Sequence, residues 1–137
     1  MNLILPFKTI VFIVFLTIFS FTLFAQPVRY VKPVATGFAD GSSWANASAD
    51  LQAMINISPA GGEVWVAAGT YKPTYHPVTG AINPIDRNNT FVLLPNVNVY
   101  GGFAGTETLL SQRNYAANAT ILRADIGTVG LTTDNCY

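Results

Sequence analysis

The chain has 137 residues, 50% of them hydrophobic and only 10% charged, with seven basic residues set against seven acidic ones. That balance excludes a polybasic nucleic-acid binder and an acidic disordered tail. The apolar content is uneven: 18 of the first 25 residues are apolar, and six of the nine Phe lie among them.

Residues 1–25 carry Lys8 near the start, an apolar stretch from Ile10 to Phe19, and the small Ala25 just before Gln26-Pro27. This is the three-part layout of a secretory signal peptide. Pro6, Thr9, Thr17, Ser20 and Thr22 interrupt the run, and only Arg29 and Lys32 follow it, which argues against a stop-transfer span. The expectation is cleavage after Ala25 and a product that is secreted or on the outer cell surface, with no stable membrane span. Cys136 is the only cysteine, so no internal disulfide can form and stability must come from packing.

Along the rest of the chain, Val28 to Val34 reads as a strand, with Val28, Tyr30 and Val34 on one face and Arg29 and Lys32 turned to water. From Ser43 to Ile57, the residues Trp44, Ala47, Leu51, Met54 and Ile55 share one helical face, which predicts a single short amphipathic helix. Ser58-Pro59-Ala60-Gly61-Gly62 ends it. Glu63 to Ala67 is a compact β run, continued by Gly69-Thr70-Tyr71. The segment Lys72 to Asn89 holds Pro73, Pro77, Pro84 and Gly80. So long an irregular loop is uncommon unless it covers or binds something. Thr90 to Leu94, Val97 to Tyr100 and Ala119 to Leu122 read as further strands, with Gly101-Gly102 closing the second. Gly, Asn and Thr make up 32 of the residues from 26 onward, which favours many short strands joined by tight turns. The spacing of the β runs fits a solenoid of stacked coils or a small α+β domain with an antiparallel sheet, and periodicity leaves both open.

A specific set of motifs bears on that choice. Tyr30-Val31-Lys32-Pro33, Asp40-Gly41-Ser42-Ser43-Trp44-Ala45-Asn46-Ala47, Leu51-Gln52-Ala53 and Glu63 through Tyr71 resemble the N-terminal cap and first coils of secreted right-handed parallel β-helix proteins. The likeness is to the pectin-lyase-like superfamily, in surface proteins of Bacteroidetes type, and it continues through Val99 to Thr108, Gln112-Arg113-Asn114 and Thr120 to Gly127. The resemblance implies an all-β solenoid N-terminal region with one capping helix. Residues 1–25 would be the signal peptide, 26–62 the first strand and capping helix, and 63–137 the first coils, with the Pro-rich loop at 72–89. It also implies a truncated chain, whose partners would include the further coils of a longer product. A cap of this kind precedes many activities. The implied role is structural or binding, adhesin-like or glycan-contacting, and not catalytic by itself. The alternative is the leading fragment of a polysaccharide lyase or glycoside hydrolase whose active site lies on missing coils.

The residues themselves assemble no catalytic constellation. His76, the one histidine, has no partner close in sequence except Asp86, and Cys136 has no orienting base. Asp40, Asp50, Glu63, Asp86, Glu107, Asp125 and Asp134 are scattered rather than paired. Gly101-Gly102 and Gly105 open onto a turn, with no helix start or lysine to hold phosphate. No catalytic, cofactor or metal residue is therefore assigned. Aromatic faces do pack on sugar rings, so Trp65, Tyr71, Tyr75 and His76 stand as candidate contacts to a polysaccharide or a host or cell-surface glycan. Trp44 is expected in the core beneath the helix, and Trp65 partly exposed.

Overall fold

The computed structural model describes residues 26–126, 130 and 133. The expectations for the leader and for Cys136 and Asp134 lie outside the described residues. The described residues form five strands: β1 (Val28–Val31), β2 (Glu63–Ala67), β3 (Gly69–Tyr71), β4 (Asn98–Phe103) and β5 (Thr120–Leu122). One helix, α1, spans Leu51–Ile57. The strands form two small parallel sheets, one ordered β1-β2-β4 and the other β3-β5.

β2 is the central strand, and its sequence explains why. Val64, Trp65, Val66 and Ala67 are apolar on both faces, the pattern of a strand covered on both sides, and all four are buried. On one face Val64 and Val66 lie level with Arg29 and Val31 of β1, and the valines pack with Leu51, Met54 and Ile55 of α1 and with Tyr71. On the other face Tyr30, Trp65 and Tyr100 stand in register across the three strands. Trp65 there stacks on Phe103 with ring centroids 4.7 Å apart, and Trp44 closes over Tyr30 at 4.8 Å.

The structure departs from the sequence pattern in several places. The solenoid is not formed: the strands are few and short, neither sheet closes, and one seven-residue helix accompanies them. The stretches that would have completed the coils give their backbone to other partners. Thr90 to Leu94 joins no ladder, because Thr90 donates to the Tyr75 carbonyl and Val92 is held by the Gln52 side chain. The segment between β4 and β5 folds into turns, with one 3-10 turn at Leu110–Gln112.

The helix is also shorter than its periodicity predicts. Trp44–Asn46 is a separate 3-10 turn, and the chain then runs extended past β1, where Lys32 N–H donates to the Ser48 carbonyl and Ser48 N–H to the Tyr30 carbonyl. Pairing along the β1 edge satisfies backbone groups that a longer helix would have used internally. The helix starts only at the Asp50 cap, whose carboxylate accepts from Ala53 N–H at 2.9 Å. Trp44 consequently lies against the aromatic face of the sheet instead of beneath the helix. In β1 the core residue is Val31, fully buried, while Val34 lies beyond the strand and is exposed.

β4 carries a bulge, because Trp65 pairs with Tyr100 but Ala67 with Phe103. Gly102 sits there at φ +94°, and a Cβ on Gly101 would come within 2.7 Å of the Thr120 side chain. Thr120 Oγ1 accepts from Gly102 N–H and lies 3.2 Å from the Val66 and Ala67 carbonyls. One hydroxyl thus ties the two sheets together at the bulge.

Candidate functional site

A groove with polar and apolar lining lies between the start of α1, the end of β3 and the Pro-rich loop. Its main hollow, about 380 Å³, is lined by the cap Asp50 and by Leu51 and Gln52 of α1, Thr70, Tyr71 and Lys72 from β3 and its exit, Thr74, Phe91 and Pro33. A second hollow of about 230 Å³ shares Asp50, Gln52 and Thr74 and adds Asn56, Tyr75 and Ile82. The shared residues make the two hollows neighbouring parts of one groove along α1.

Three side chains fix the loop and the 90–94 segment beside the groove. Gln52, 3% exposed, donates through Nε2 to the Val92 carbonyl at 2.9 Å and accepts from Val92 N–H at 2.7 Å. It acts as a side-chain substitute for a neighbouring strand, pinning the 90–94 segment to the helix. Asn89 is buried under the loop and donates Nδ2 to the carbonyls of Pro73 and Asn83. His76 accepts the N–H groups of Val78 and Thr79 on Nδ1, and an antiparallel bridge joins Tyr75 to Ile82. The loop is thus built on specific hydrogen bonds in spite of its irregular path.

The four residues singled out for glycan contact are divided by the fold. Trp65 and Tyr71 are each 4% exposed. Trp65 has one face on Phe103 and donates its indole N–H to Glu63 at 2.7 Å. Tyr71 donates its hydroxyl to the Ala67 carbonyl at 3.0 Å, and burial pushes that hydroxyl up to about 12. Tyr71 still contributes to the groove lining. Tyr75, half-buried, lines the second hollow, and His76 beside it has Nδ1 engaged in its own turn. Only Tyr71 and Tyr75 of the four reach the groove.

Asp50, Thr70, Lys72, Thr74 and Phe91 were not picked out as contacts from the sequence. Nothing in their local pattern marks them, because α1, the β3 exit and Phe91 meet only through pairings distant along the chain. Lys72 is exposed and forms no ion pair with Asp50 although both line the same hollow. Asp50 gives Oδ1 to the helix cap, and its second carboxylate oxygen is not part of that cap. Among the described residues no group of three or more His, Cys, Asp or Glu is placed to hold a metal ion. No described helix is long and apolar enough to cross a membrane. No family model, curated protein or solved structure matches the chain.

Proposed function

We propose that the chain is an exported structural and binding module that contacts glycan through the groove along α1, without catalysing a reaction on it. The observation that carries this reading is the lining of the main hollow. Thr70, Thr74, Lys72 and Asp50 line it together with the apolar and aromatic Leu51, Tyr71 and Phe91. Sugars present the same mixture, with hydroxyl edges that need donors and acceptors and ring faces that pack on aromatic surface. Asp50 is the only acid lining either hollow, so the paired carboxylates of glycoside hydrolysis are not assembled there. Export rests on the leader pattern of residues 1–25.

The test is amide and side-chain NMR of the purified protein titrated with cello-, xylo- and chito-oligosaccharides. Binding in the groove shifts the Gln52 side-chain amide and the backbone resonances of Thr70, Thr74 and Tyr75 together, and Thr74→Val with Tyr75→Ala weakens the effect. If no saccharide moves those resonances at millimolar concentration, the glycan reading is wrong. Mass spectrometry of the native product tests export separately, with an N-terminus at Gln26 expected and retention of Met1 or another leader residue overturning it.

A further inference from the structure

The groove carries one negative and one positive side chain that leave each other unpaired. Asp50 sits at the helix start and Lys72 at the exit of β3, and both line one hollow of about 380 Å³. Opposite charges held by separate elements, near enough to line one hollow yet not joined, favour a ligand that bears both complementary charges. We infer that the groove prefers a zwitterionic amino sugar, its ammonium directed to Asp50 and its carboxylate to Lys72. This rests on the glycan reading above and narrows it. Thr70 and Thr74, which bring hydroxyl-bearing side chains to the same lining, and Phe91, which brings an aromatic one, fit a hydroxylated ring better than a plain amino acid.

Calorimetric titration of the purified protein separates the contributions. The probes are muramic acid, which bears both charges, glucosamine with the ammonium alone, glucuronate with the carboxylate alone, glucose with neither, and alanine as a zwitterion without a sugar ring. At about pH 6 the amines are protonated and the carboxylates ionised. Muramic acid is expected to bind at least ~10-fold more tightly than any other probe, the size of effect that one further favourable charge contact gives. Asp50→Ser keeps an oxygen for the helix cap but lowers affinity for muramic acid and glucosamine while leaving glucuronate unchanged. Lys72→Met, at an exposed position, does the reverse, lowering muramic acid and glucuronate only. Glucose binding as tightly as muramic acid overturns the charge preference and leaves the glycan groove standing. Alanine matching muramic acid overturns the sugar component. Absence of binding by all five probes, with the groove resonances also silent to neutral oligosaccharides, overturns both readings.

Discussion

The sheet around β2 and the loop from Lys72 to Val97 are stabilised by different means. The sheet is held by burial: Val31, Val64, Val66, Ile55 and Phe103 are all fully shielded from water, and their contribution scales with apolar area removed from solvent. The loop exposes Val78, Ile82, Ile85 and Leu93 and is fixed by the side-chain hydrogen bonds of Gln52, Asn89 and His76. Burial tolerates small shifts in geometry, whereas each loop contact is directional and has no substitute nearby. The groove lies at the boundary, with one wall from each region. Its shape therefore depends on the loop bonds more than on the core.

The largest expected effect comes from breaking the sheet side. Phe103 is fully buried, stacked on Trp65 and tilted against Trp44 with centroids 5.7 Å apart. Phe103→Ala removes that support from the whole aromatic face and is expected to cost about 3–5 kcal/mol. Urea denaturation followed by tryptophan fluorescence measures it. A loss below about 1 kcal/mol would mean that the aromatic face contributes little beyond filling surface, contrary to the burial account.

Breaking the loop side should be milder and more local. Gln52→Ala leaves the N–H and carbonyl of the half-buried Val92 without their partner, which is expected to cost about 1 kcal/mol because water can partly replace it. Hydrogen exchange distinguishes this from a core defect. Val92 and Thr90 amides should exchange faster, while those of Val64 and Val66 follow only the small global change. Uniform acceleration across both regions would show that loop and sheet unfold as one unit.

The same contrast governs how much of the fold is legible in the sequence. The apolar run of β2 and the face shared by Leu51, Met54 and Ile55 are local patterns, and strand and helix lie where those patterns are strongest. The helix start is hidden in the sequence because the Trp44 and Ala47 spacing fits a helix, while the pairing of Ser48 with β1 across the sheet edge is invisible locally. The solenoid expectation failed for a related reason. Thr90 to Leu94 has the composition of a strand, but a glutamine 40 residues away at Val92 takes the hydrogen bonds a ladder would need. At the groove, Tyr71 and Tyr75 were legible as aromatics beside an irregular loop. Asp50 and Lys72 gain significance only when β3 is packed beside α1, and no spacing in the sequence encodes that. Strand alternation shows which face Trp65 occupies, not that Tyr30 and Phe103 pack against it there.

The smallest expected effect concerns a carboxylate on the sheet side that is held as the loop is held. Burial pushes the Glu107 carboxyl upward, but hydrogen bonds from the N–H groups of Ala104, Thr106, Glu107 and Gly105 together outweigh it and hold the group below its ordinary value. Its oxygens accept from Ala104 at 2.6 Å and from Gly105 and Thr106 at 2.9 Å, and its own carbonyl accepts the Trp44 indole N–H at 2.8 Å. A carboxyl whose folded value is depressed adds stability above its unfolded value of about 4.5, and that stability is lost as pH falls through the folded value. Acid should therefore loosen the turn that anchors Trp44 before it affects the hydrogen bonds of Gln52, which has no proton to gain. Stability curves at pH 7 and pH 3 should converge for Glu107→Gln relative to the parent, with the difference confined to this acidic window. Because the amide can still accept one or two of those N–H bonds, the variant at pH 7 should lose only part of what the ionised group provides. An unchanged acid dependence in Glu107→Gln would assign the acid sensitivity to other carboxylates, with Asp40 and Asp86, both also held below their ordinary values by hydrogen bonds from Ser42 and Asn88, next in line.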